Sequence, residues 1–195
     1  MARYKYYHIN MKVFFFIAAF VFIISCNNDM QEYQSLMQKE VTSGKHADSL
    51  FFGIYLGMTS KQFFTHCWEL NKQGIFTDGN NNTAVLYKLN KNELKYDASM
   101  NFYPEFKNNK IYKMWATFQY DGWAPWNKHM YSDSLLPDVL KLYKTWYSTG
   151  NPFIEMRDKE RGTIYIKVDG NRRIIIGRYD DMIVKVDYTD LLVEK

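Results

Sequence analysis

Cysteine is nearly missing from this chain: only Cys26 and Cys67 occur in 195 residues. Two thiols build neither a disulfide framework nor a cysteine-rich metal site, so the fold has to be held by its core. Histidine is as sparse, scattered at His46, His66 and His129 beyond the N-terminal segment, and no HExxH, GxSxG or phosphate-loop pattern occurs. Without such a constellation, an enzyme is the least favoured of the function classes. One loop, Asp78-Gly79-Asn80-Asn81-Asn82-Thr83, places oxygen ligands at alternate positions. It has Thr83 where a calcium loop needs glycine and Leu89 where it needs glutamate. It reads as a polar turn, and neither a metal nor another cofactor is expected.

An apolar run of membrane-spanning length is also lacking. Residues 13–24 supply about a dozen apolar positions, against roughly 20 needed to cross a bilayer. Arg3, Lys5 and Lys12 precede this run with no acidic residue, and Ser25 and Cys26 follow it. Basic residues, apolar run and small residue in that order are the plan of a secretory signal peptide over residues 1–25, with a buried strand or a retained signal anchor as the alternatives. Excess charge disappears with it. The 25 basic side chains outnumber the 21 acidic ones, but three of the basic ones precede Cys26, leaving 22 against 21. Nucleic-acid binding then has no electrostatic motive. Arg172-Arg173 reads as a solvated turn.

Aromatic residues, by contrast, make up 18% of the chain. Residues 49–195 are long enough for one compact domain with a substantial interior. Residues 26–48 are polar and read as a tether, although Met30, Tyr33, Met37 and Val41 recur at near-helical spacing and allow a short helix lying on the domain. In FFGIYLGMTSKQFFTHCWELNKQG, Thr59 and Gln62 make a capping box, Met58 and Phe63 a hydrophobic staple, and Gly74 a stop. The expected buried side is Phe63, Phe64, Cys67, Trp68 and Leu70. His66 points about 100° away from Cys67, which disfavours a catalytic pair.

Alternation then puts Met100, Phe102, Pro104 and Phe106 on one face of a strand, and Tyr112, Met114, Ala116, Phe118 and Tyr120 on one face of the next. Lys107-Asn108-Asn109-Lys110 forms the hairpin between them. Pro104 cannot donate to a ladder and marks an edge or a bulge. Residues 83–89 give a third strand. A second helix follows in SDSLLPDVLKLYKTWYSTG, capped by Ser132 or Ser134, with Pro137 in its first turn. Strands return at residues 153–156, 163–168, 172–177 and 182–188, with Asp169-Gly170-Asn171 as a turn. KIYKMWATF and MIVKVDYTD occupy corresponding places, so residues 49–120 and 131–195 read as halves of a tandem helix-plus-strands repeat. The fold class is α+β: an antiparallel sheet with two helices packed on one face.

Two resemblances follow from these residues. Ile23-Ile24-Ser25-Cys26 resembles a bacterial lipobox. It implies diacylglycerol and palmitate on Cys26, cleavage before it, and anchorage in the cell envelope, at the outer membrane of a Gram-negative bacterium. The element order, with Gly53-Ile54 and Gly57-Met58-Thr59-Ser60 before the first helix, resembles the small lipoproteins of the BamE (SmpA/OmlA) group and the β-lactamase-inhibitor-protein-like repeats. That likeness implies protein binding in the periplasm without catalysis.

YDGWAPWNKHMYSD joins the two halves. Trp123 and Trp126 sit there in a Gly- and Pro-containing connection with Tyr120 and His129 beside them, a candidate binding surface because tryptophan is enriched at binding hot spots. The plainer reading has both indoles plugging the core edge. A lipid-anchored adaptor would present this loop or a sheet face to another protein. A carbohydrate-binding protein would gather its Trp and Tyr residues around a cleft.

Overall fold

A computed structural model describes residues 28–79 and 83–194. The proposed signal segment, Cys26 and Asn80-Asn81-Asn82 of the calcium-like loop lie outside the described residues. Among the described residues three α-helices and eight strands follow in the order α1 (Asn28–Thr42), α2 (Ser60–Lys72), β1 (Phe76–Asp78), β2 (Val85–Leu89), β3 (Ala98–Lys107), β4 (Lys110–Tyr120), α3 (Ser132–Trp146), β5 (Ile154–Asp158), β6 (Gly162–Asp169), β7 (Arg172–Arg178) and β8 (Val184–Asp190). All eight strands form one antiparallel sheet in the order β1-β2-β3-β4-β8-β7-β6-β5. The fold is α+β.

The tandem order is legible here. A helix followed by a four-stranded meander occurs twice, and the last strand of each half, β4 and β8, meets the other at the sheet's centre. Their register pairs Lys113 with Thr189, Trp115 with Asp187 and Thr117 with Lys185. Lys-x-Trp-x-Thr in β4 thus runs against Lys-x-Asp-x-Thr in β8, about a local two-fold between Trp115 and Asp187.

Cross-strand partners point to the same side, so each register assigns the two faces. One face carries Phe102, Met114, Ala116, Phe118, Ile174, Ile176, Val184, Val186 and Tyr188, and packs against α2 through Phe63 and Cys67 and α3 through Leu135, Val139 and Tyr143. Tyrosine hydroxyls stitch this layer. Tyr188 donates to Tyr143 at 2.8 Å, and Tyr147 donates to the Leu50 carbonyl at 2.5 Å. Each buried phenol thereby gains a partner that offsets its desolvation.

The segment read as a tether is instead α1, the alternative its spacing allowed. Tyr33, Leu36, Met37 and Val41 pack on Met156, Ile164, Ile166, Val168 and Leu191, on the face opposite α2 and α3. Its backbone lies over β5 and β6, while the Tyr33 hydroxyl reaches across to accept from Arg173 of β7 at 3.3 Å. The folded unit therefore includes α1.

Other expectations are corrected by the geometry. The Thr59 capping box forms, but Phe64 and Trp68 are 51% and 60% exposed, because the buried stripe of α2 is only Phe63 and Cys67 with Leu70 at its margin. Ile111 is buried and Tyr112 is not. A register shift at Glu105/Phe106 puts one extra residue into β4 and flips its phase below Lys113. Pro104 lies past the end of β2, whose last partner on β3 is Phe102, and next to that bulge. In the hairpin, Asn108 and Asn109 take φ of 51° and 63°, as a type I′ turn requires. Helix α3 starts at Ser132 without a side-chain cap, since the Ser132 hydroxyl donates to the Asp180 carbonyl at 2.5 Å, and Pro137 falls in its second turn.

Arg172-Arg173 is no solvated turn. Arg172 is buried, donates to the Ser49 carbonyl, stacks 4.5 Å from the Tyr147 ring centroid and pairs with Asp169 at 3.1 Å. Asp169 also faces the Lys167 ammonium at 3.2 Å, and that lysine is 2% exposed and donates to the Thr149 and Asn151 carbonyls. Two buried cations thus share one carboxylate and a set of carbonyls that tie residues 49 and 149–151 to the β6–β7 turn.

Candidate functional site

Tyr120, Trp123, Trp126 and His129 do not form one surface. Tyr120 is fully buried at the end of β4, edge-on to Tyr96 at 5.3 Å, with its hydroxyl donating to Asp138 Oδ2 at 2.6 Å. Burial first, and then Asp138, drive its pKa far above that of an ordinary phenol. Trp123 is half-buried against Tyr131, with ring centroids 5.9 Å apart, and its indole nitrogen is buried without a hydrogen-bond partner. Trp126 is 86% exposed, and His129 is exposed. The loop beneath them is framed. Tyr131 donates to the Pro125 carbonyl at 2.7 Å, Asn127 N–H donates to Ala124 at 2.8 Å, and the Lys128 ammonium stands 4.0 Å from the Tyr131 ring centroid. A built platform therefore lifts one indole into solvent, while its neighbour is packed below.

The sheet face opposite α2 and α3 holds a second feature. Helix α1 covers β5 and β6 there and leaves the β4–β8 seam open. A groove of about 430 Å³ crosses the seam, with Trp115 and Asp187 opposite each other on its floor. Asp187 is held between Lys185 at 2.9 Å and Arg161 at 2.9 Å. Glu194 is held between Lys113 at 3.2 Å and Arg173 at 3.0 Å. Four cations share two carboxylates on the floor, while Glu105, Asp158 and Glu160 add negative charge on the walls. Asp158 accepts from the N–H groups of Glu160 and Arg161, which lowers its pKa and fixes the turn that carries Arg161. Gly177 makes room for this arm: a Cβ there would lie 2.8 Å from Ile164 Cγ2 and 3.5 Å from Arg161 Cδ.

Sequence reasoning passed over these residues. Their signal is the polar half of the alternation, positions 113, 115 and 117 of β4 and 185, 187 and 189 of β8, which one strand alone reports only as a solvent face. Neither feature offers a nucleophile with an adjacent base. Among the described residues no group of three or more His, Cys, Asp or Glu side chains is placed to hold a metal ion. Among them too, no helix is long and apolar enough to cross a membrane. The chain shows no significant match to a protein family, a curated protein or a solved structure.

Proposed function

We propose that this chain is a cell-envelope lipoprotein, anchored by acylated Cys26 at the outer membrane of a Gram-negative bacterium, whose domain binds another protein without catalysis. The observation that carries the binding role is the open β4–β8 seam beside α1. Trp115 lies there in a lattice of charges that are rigid because each carboxylate is shared by two cations. Such a floor favours a partner segment with a carboxylate at its centre and cations towards the acidic walls. The helix-plus-four-strands order, run twice, is in keeping with the likeness to inhibitor-protein-like repeats.

Anchorage is tested by metabolic labelling with a palmitate analogue. Label is expected on the wild type and not on Cys26→Ser, and equal labelling of both refutes acylation at Cys26. Binding is tested with a photo-crosslinking amino acid in place of Lys185 in intact cells. One discrete adduct is expected, lost on adding Asp187→Lys. No adduct, or the same adducts from exposed Lys141 on α3, refutes the seam as the binding surface.

A carbohydrate ligand is the second reading, favoured by the indole of Trp115 lying in a polar groove. Calorimetry with envelope oligosaccharides, showing saturable heat that Trp115→Ala abolishes, would select it.

A further inference from the structure

We propose that the end of the domain carrying Trp126 and Tyr179 rests in the interfacial layer of a lipid bilayer. Strand direction places three connections together at that end. Residues 121–131 leave β4, residues 179–183 join β7 to β8, and residues 159–161 join β5 to β6. The first two touch, because Ser132 donates its N–H to Asp181 O at 2.9 Å and its hydroxyl to Asp180 O. Trp126 and Tyr179, at 86% and 65%, are the most exposed large apolar side chains described in the molecule. Tryptophan and tyrosine are the residues that favour the headgroup region, where the ring is desolvated and its polar edge stays wet.

Helix α1 says what covers them. Its last turn lies at the opposite end of the sheet, where Glu40 accepts the Gly170 N–H at 2.8 Å. It runs along β5 and β6, and 15 helical residues span about 22 Å, close to the length of eight-residue β6. Its first turn, with exposed Met30, therefore returns to the Trp126 end. Cys26, which closes the apolar run of residues 13–24, precedes α1 by two residues, a reach of at most about 7 Å. Whether that segment is acylated or retained, so short a link brings this end of the domain onto the bilayer. Both signs of charge occur there, Lys128, His129, Lys159, Arg161 and Arg178 against Asp121, Asp133, Glu160, Asp180 and Asp181. The rings, and not net charge, make the contact. The inference rests on membrane attachment through the N-terminal segment and is independent of the protein partner.

The test uses the full chain reconstituted into phosphatidylcholine vesicles bromolabelled high on the acyl chain, with tryptophan fluorescence read after flotation. Bromine should quench the wild type, and Trp126→Phe should reduce that quenching at least about twofold. Trp68→Phe should leave it unchanged, and raised salt or added phosphatidylglycerol should not alter it. Quenching that is equal in Trp126→Phe, that is lost in Trp68→Phe, or that appears only with anionic lipid overturns the proposal. The first of these results leaves the Trp126 loop facing water, as a protein-contact site would. Chains that fail to float overturn membrane attachment as well, whereas floating chains without Trp126-dependent quenching overturn this orientation alone.

Discussion

Phe63 and Phe64 are adjacent, chemically identical and on the same helix, so truncating each in turn isolates burial from composition. Phe63 is 0% exposed, with the rings of Phe64, Phe106 and Tyr103 at 5.5, 6.1 and 6.2 Å between centroids. Phe63→Ala forfeits about 2–3 kcal/mol of transfer free energy. It also leaves a void of up to ~100 Å³ which, at about 24 cal/mol per Å³, adds roughly 2 kcal/mol unless the neighbouring rings collapse into it. The expected loss is about 3–5 kcal/mol. Phe64 keeps half of its surface in water, so Phe64→Ala forfeits about half the transfer part and opens no closed void, a loss near 1 kcal/mol. In a domain of this size the two changes correspond to melting shifts on the order of 10 °C and 3 °C. Urea unfolding of the full chain in detergent, followed by far-ultraviolet circular dichroism, measures both. An equal or larger loss for Phe64→Ala refutes the assignment of the helix's buried stripe, as does a loss under about 1.5 kcal/mol for Phe63→Ala.

Three further outcomes are expected. Asp169→Ala leaves Lys167 and Arg172 without their shared anion and should lower stability by about 3–5 kcal/mol at unchanged denaturant slope. Burial pushes the Cys67 thiol up to about 12, so iodoacetamide at pH 8 should leave it unmodified in the folded protein and alkylate it fully in urea, read by peptide mass. The Gly170 N–H, with Asn151 assisting, holds Glu40 below the usual glutamate range of 4.5. Its stabilisation is therefore complete above that value and disappears as pH falls through the lower folded one. Amide protection factors in the last turns of α1, corrected for the intrinsic pH dependence of exchange, should fall on acidification in the wild type. In Glu40→Gln they should be lowered already at neutral pH, and unchanged protection of α1 in that variant would remove Glu40 from its docking.

Period and punctuation carried most of the architecture. Capping box, Asn-Asn and Asp-Gly turns and alternating runs act within a few residues, and their structural counterparts fall within a few positions of where the pattern places them. What failed depended on geometry between elements. The apolar stripe of α2 runs through Phe64 and Trp68 as plausibly as through Phe63 and Cys67, and only the distance to β3 decides how much of it is covered. Tyr112 fits its alternation until a bulge, invisible in one strand, shifts the phase. Three-residue β1 is too short to show a period at all. At the candidate surface, Tyr120 belonged to the same alternation that made Phe118 core, so its burial was legible. The groove was not, because Lys113 and Lys185 become neighbours of one seam only after β4 and β8 pair.

That pairing has a consequence for how the chain can be made and moved. Strand β8 follows every other strand in sequence but lies between β4 and β7 in space. A chain emerging N-terminus first from the ribosome leaves the inner edges of both meanders unpaired until residues 184–190 arrive. Loss of those few residues would divide the sheet down its middle instead of trimming its rim. Quality control that waits for β8 before releasing the chain would therefore be inspecting the whole fold at one point.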